Sequence, residues 1–166
     1  MKKKKTGFTV VELLIVITMI GILVSITLSY SLRSQHRWTL RGVAREITST
    51  YYQMRQQASR DNTPYRMEFL NGSFQTYRYD ATTMNWVAIA KSAVTTGNIG
   101  TKVTIVNPPD FAVNSSGFIV KQNVPNQFSI LGMQTIELTS PGAVGMDRIF
   151  ILIYPYGGIQ VESQFR

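Results

Sequence analysis

The hydrophobic pattern of the chain has two regimes, a helical one up to residue 60 and an alternating one after it. Residues Phe8 to Leu28 form a run of 21 in which fourteen are Phe, Val, Leu or Ile and Glu12 is the only charge. At about 1.5 Å per residue a helix over this run reaches roughly 32 Å, enough to cross a hydrocarbon core of about 30 Å. Further on, Leu40, Val43, Ala44, Ile47, Tyr51, Met54 and Ala58 recur at spacings of 3, 1, 3, 4, 3 and 4. That spacing makes one apolar face, the inner wall of a globular domain. The stop is Asp61-Asn62-Thr63-Pro64, because proline disfavours helical conformation in the residue before it. A single helix over residues 8–60 would be roughly 80 Å long. Gly21 and Gly42 are its weak points, each costing about 1 kcal/mol relative to alanine. Gly21 lies in the spanning half, where it allows either local stretching or close helix packing.

After Pro64 the period becomes two. Tyr65 to Phe69 alternates, Asn71-Gly72 is a hairpin signal, and Ser73 to Tyr79 continues as the return strand. Further strands are expected at 85–90, 101–106, 118–121, 127–131, 134–138, 148–154 and 158–162, punctuated by Asn107-Pro108-Pro109-Asp110, Ser115-Ser116-Gly117 and Pro155-Tyr156-Gly157. The nearly unbroken apolar run Arg148 to Tyr154 is expected at the centre of a sheet, buried on both faces. The fold class is therefore α+β: a long N-terminal α-helix, membrane-spanning in its first half, packed on an antiparallel β-sheet domain.

Length and composition narrow this further. The 166 residues suit one ordinary domain with an appendage, and 44% apolar residues allow a real core. The net charge of +8 suggests nucleic acid or an anionic membrane, but Lys2 to Lys5 sit directly before the apolar run, the layout of a topogenic signal. Without those four lysines, 13 basic residues face 9 acidic ones, leaving +4. There is no cysteine, hence no disulfide framework and no thiolate chemistry.

Glu12 is the anomaly. The fourteen apolar side chains favour insertion by roughly 4–8 kcal/mol, against about 2.5–3.5 kcal/mol for an acidic residue at mid-membrane and less near an end. The carboxylate is tolerated at a cost that a pure anchor would avoid. A cleaved secretory signal would have an apolar region of about 7–15 residues, and Ser29-Tyr30-Ser31 is the only weak cleavage candidate. A plain signal anchor leaves Gly7 and Glu12 unexplained.

The stretch Lys5-Thr6-Gly7-Phe8-Thr9-Val10-Val11-Glu12-Leu13 closely resembles the leader and mature N-terminus of type IV pilins and of the pseudopilins of type II secretion. The resemblance implies a pilin-like fold and four segments: a cleaved basic leader (1–7), a transmembrane and assembly helix (8–28), an amphipathic continuation into the globular domain (29–60) and an antiparallel β domain (61–166). It implies that a prepilin peptidase cuts between Gly7 and Phe8 and methylates the new amine of Phe8. It implies that Glu12 pairs with the N-terminal amine of a neighbouring subunit, turning the cost of a buried carboxylate into a bias for docking in register. The expected partners are that peptidase, other pilin or pseudopilin subunits, an inner-membrane assembly platform and the membrane itself. The lysines predict a cytoplasmic N-terminus, and the resemblance implies a single crossing of the bacterial inner membrane, with the domain in the periplasm before it enters a filament.

Within that family the tail resembles the H-type minor pseudopilins and FimT-like minor pilins. The resemblance lies in Ala58-Ser59-Arg60-Asp61-Asn62, in Phe111 to Gly117, and in the closing segment Gly158-Ile159-Gln160-Val161-Glu162. It implies a minor subunit, with a major filament subunit or a DNA-binding minor pilin for DNA uptake as alternatives. Some FimT-like proteins bind DNA through a basic closing segment; here Gly158 to Arg166 carries Glu162 and a single arginine.

Arg33, Arg37, Arg41 and Arg45 recur every fourth residue. Like charges at that spacing repel, so the ridge is expected to face an anionic partner or solvent. Acidic side chains on adjacent subunits and lipid headgroups are favoured as anions, and nucleic acid ranks behind both. No enzyme chemistry is legible. His36 is the only histidine, so neither a zinc cluster nor a histidine-based triad is evident. Asp80, Asp110 and Asp147 are isolated, and no glycine loop for phosphate is present. No metal and no cofactor is expected.

Overall fold

The computed structural model describes residues 9–70, 73–89, 97–98, 103–140 and 147–165, with the backbone alone for 28–35 and 97–98. The order is one helix followed by strands, as the change of period predicts. Helix α1 runs Val10–Asp61. Its residues divide between two compact units, Met1–Gln35 and His36–Arg166.

In the first unit the helix is apolar on all sides. The window Val10–Thr27 has a mean hydropathy of 2.6, long and apolar enough to cross a membrane. Its hydroxyls are turned back onto the helix: Thr18 Oγ1 donates to the Leu14 and Ile15 carbonyls, Ser25 Oγ to Gly21 and Thr27 Oγ1 to Leu23. Such back-bonding satisfies a hydroxyl where no water is available.

In the second unit α1 supplies one wall of the core. Leu40, Val43, Ala44, Ile47, Tyr51, Met54 and Ala58 are all buried, so the expected face is the observed one. Each large side chain of this set contributes roughly 1.5–3 kcal/mol by leaving water. The helix ends as its last residues direct. Asn62 takes φ 49° and the Thr63 N–H donates to the Ala58 carbonyl at 3.2 Å, the longer bond of a Schellman cap. Pro64 then blocks continuation.

Two antiparallel sheets complete this unit. The larger is built from β1 (Tyr65–Leu70), β2 (Ser73–Asp80), β3 (Asn85–Ala88), β4 (Gly97–Asn98), β6 (Phe111–Val113), β7 (Ile119–Val124) and β8 (Gln127–Ile130). Its order is β3-β2-β1-β6-β7-β8, with β4 also pairing β2. The smaller sheet has β5 (Thr104–Val106), β9 (Gln134–Thr139), β10 (Arg148–Ile153) and β11 (Ile159–Gln164) in the order β11-β10-β9-β5. Leu70 pairs with Ser73, so two residues connect β1 to β2; Asn71 and Gly72 themselves lie outside the described residues. One core cluster joins the α1 face to Met67, Phe74, Phe111 and Ile119 of the larger sheet and to Ile136, Leu138, Ile149 and Ile151 of the smaller.

The β domain is divided between two sheets, and one expectation changes. Within the run at 148–154, Arg148–Ile153 is an interior strand, but only Ile149, Ile151 and Ile153 are buried, the alternate residues of the strand are half-covered and Tyr154 is exposed. The strand buried on both faces is β6, where Phe111, Ala112 and Val113 are all buried between β1 and β7. A three-residue apolar run after Pro108-Pro109 is too short for periodicity to identify.

Turns lock the sheets to the helix. Asn114–Phe118 and Tyr154–Gly158 share one geometry, with Gly117 and Gly157 donating to the Asn114 and Tyr154 carbonyls at 2.9 and 2.8 Å. Both glycines have positive φ, 81° and 77°, as a type I turn closing on a left-handed residue requires. Arg55 of α1 lies against both turns and donates from Nη1 to the Gly157 carbonyl at 3.1 Å.

Candidate functional site

The helix begins at Thr9. The Leu13 N–H donates to the Thr9 carbonyl at 3.2 Å, which makes Thr9 the N-cap. The Thr9 N–H and hydroxyl both donate to Glu12 Oε2 at 2.9 Å, and the Glu12 N–H donates back to Thr9 Oγ1 at 3.2 Å. This reciprocal arrangement is a capping box. The carboxylate also sits at the positive end of the helix dipole. Glu12 thus has a partner within its own chain. Thr9-x-x-Glu12 was readable as a capping signature, but Glu12 alone drew attention, as the one charge in the apolar run.

Gly7 and Phe8 lie outside the described residues. Thr9 and Glu12 are exposed, as are all described side chains from Val10 to Thr27. An apolar helix surface exposed on every side, with its one carboxylate held in a cap, is compatible with insertion among lipid tails.

The structure places the arginine ridge unevenly. The side chain of Arg33 lies outside the description. Arg37 meets an anion of its own chain, donating from Nε to Asp147 Oδ2 at 3.0 Å and from Nη2 to Oδ1 at 3.4 Å. Its guanidinium also lies 5.2 Å from the Phe165 ring centre. Arg41 is exposed and stacks over the same ring at 4.8 Å, with Trp38 at 6.0 Å. Arg45 is exposed and has no ion pair among the described residues. His36 is half-buried, its Nδ1 3.1 Å from Ser140 Oγ. Asp147 and Phe165, distant in sequence, were not foreseeable as partners of Arg37.

Asp80, Asp110 and Asp147 stay apart in their roles. Asp80 accepts from the Thr82 N–H and Thr83 hydroxyl, which hold its carboxyl below the usual range. Asp110 Oδ1 lies 3.1 Å from Arg66 Nε.

Residues 2–28 match the family model described as the prokaryotic N-terminal methylation motif. No curated protein and no solved structure gives a significant match to the chain. The matched segment takes in the lysines, the Gly7-Phe8 junction, the Thr9–Glu12 cap and the whole apolar run, and the N-terminus of this chain therefore carries a type IV pilin-like signal.

Proposed function

We propose that the protein is a minor pilin or pseudopilin, a structural and assembly subunit of a type IV pilus or of a type II secretion pseudopilus. The observation that carries this reading is the coincidence of the methylation motif at 2–28 with a capped, fully exposed apolar helix that continues into a domain core. A prepilin peptidase removes residues 1–7 and methylates the Phe8 amine. The lysines hold the N-terminus in the cytoplasm and the domain emerges in the periplasm. On assembly, Glu12 exchanges or shares its Thr9 contacts with the amine of a neighbour, since two opposite charges attract strongly where water is excluded.

The subtype reading, H-type or FimT-like, is supported by the helix ending at Ala58 to Asn62 and by the closing β10–β11 hairpin. The DNA-binding alternative draws less support from the ridge than its spacing suggests, because Arg37 is neutralised by Asp147. Mass spectrometry of protein extracted from membranes of a peptidase-competent cell tests the proposal. The expected N-terminus is a methylated Phe8. An intact Met1, or a terminus near Ser31, contradicts it.

A further inference from the structure

Among the described residues, the smaller sheet ends in a strand without the usual protection. β11 lies at the edge of the order β11-β10-β9-β5, and all of it beyond Ile159 is exposed. It pairs with β10 residue for residue, from Ile153↔Ile159 to Arg148↔Gln164, without a bulge. Its sequence IQVESQ contains neither lysine nor proline, the devices that natural edges use against strand addition. Its one charge, Glu162, pairs across from Phe150, on the face opposite Val161 and Ser163.

Beside this edge runs a groove of about 450 Å³, lined by Arg41, Arg45 and Tyr52 of α1 and by Ile149, Val161 and Ser163 of the sheet. Val161 is 47% exposed and Tyr52 41%, so α1 covers β10 and leaves the β11 side of the sheet open. The arginines are one helical turn apart, a rise of about 6 Å. Alternate side chains on one face of a strand repeat at about 6.6 Å.

We infer that this groove receives an extended acidic segment of a different protein, which adds as a strand to β11 and sets two carboxylates at alternate positions against Arg41 and Arg45. The exposed edge supplies backbone hydrogen bonds, Val161 and Tyr52 supply apolar contact, and the arginines select the charge. Stacking on Phe165 fixes the Arg41 guanidinium in advance. A second copy of this chain does not meet the requirement: its acidic residues are 12, 46, 61, 68, 80, 110, 137, 147 and 162, no two of which are two positions apart. The inference does not depend on the processing or membrane topology proposed above.

The test uses the full chain in detergent micelles and a fluorescent peptide in which valine alternates with glutamate. Controls are the same peptide with lysine for glutamate, the peptide N-methylated at alternate amides, and a short duplex DNA. The glutamate peptide is expected to bind saturably and more weakly as salt rises. Binding should protect β11 amides from hydrogen exchange and be lost on N-methylation. Arg45→Glu alone is expected to weaken it about tenfold or more, and Arg41→Glu with Arg45→Glu to shift the preference to the lysine peptide. Equal binding of both peptides, no protection in β11, no saturable binding, or binding of the duplex alone overturns the inference.

Discussion

Arg37 Nε and Asp147 Oδ2 meet at 3.0 Å across 110 positions of sequence, and the Asp147 side chain is 1% exposed. The pair ties the first turn of the domain portion of α1 to the residue preceding β10. Phe165, stacked on Arg37 and Arg41, draws the end of β11 to the same place.

Replacing Arg37 by leucine takes the guanidinium from a buried carboxylate. A fully buried pair broken this way costs about 3–5 kcal/mol; with Arg37 32% exposed, about 2 kcal/mol is expected. Asp147→Asn placed on top should recover part of the loss, because the buried charge goes with it. Denaturant midpoints of the single and double variants measure this coupling. Additive losses would show that the two side chains act independently.

Gly157→Ala is expected to destabilise by about 2 kcal/mol or more. Its φ of 77° disfavours a side chain, and a Cβ would stand 2.3 Å from the Gly117 carbonyl oxygen. Arg55→Met, which keeps much of the stem but not the bond to the Gly157 carbonyl, should cost about 1.5–3 kcal/mol. Thermal melts of the detergent-solubilised chain measure both. A melting temperature unchanged for either variant would remove the shared turn contact from the account of how helix and turns are joined.

Tyr51 and Tyr65 predict the alkaline limit of stability. Burial pushes the Tyr51 hydroxyl up to about 12, and burial together with the bond to Asp61 does the same for Tyr65. In the unfolded chain both ionise near 10. Their contribution is therefore complete below pH 10 and is lost as pH rises toward 12, because the unfolded state gives up its protons first. The two should part on mutation. The Tyr51 hydroxyl is buried with no hydrogen-bond partner among the described residues, so Tyr51→Phe should be neutral or stabilising by up to about 1 kcal/mol. Tyr65→Phe loses its bond to Asp61 and should cost about 1 kcal/mol. Unfolding midpoints at pH 8 and pH 11, with tyrosinate absorbance as the titration signal, decide both.

The helix was legible in the sequence because its apolar positions repeat over several turns and its end is marked by Asn62 and Pro64. Every residue assigned to the inner face is buried. The β1–β2 hairpin was legible for a like reason, a strong turn signal between alternating runs. The division of the strands between two sheets was not, because periodicity says which face of a strand is buried and not which strand lies beside it. β6 escaped notice since burial on both faces removes alternation. At the N-terminus Glu12 was conspicuous as a lone charge, whereas Thr9 looked ordinary until its bonds to Glu12 were seen.

Glu12 caps its own helix, and the proposed function gives it a second task, meeting the amine of a neighbour, on which assembly would depend. Glu12→Gln keeps a side chain that can close the capping box but removes the charge. Thr9→Val removes the hydroxyl contacts and keeps the charge. The deciding measurement is crosslinking of the chain to neighbouring subunits in cells, at equal membrane abundance and equal leader removal. Glu12→Gln is expected to lose most crosslinking while Thr9→Val retains it. Loss with Thr9→Val and retention with Glu12→Gln would contradict this, and would make Glu12 a capping residue alone.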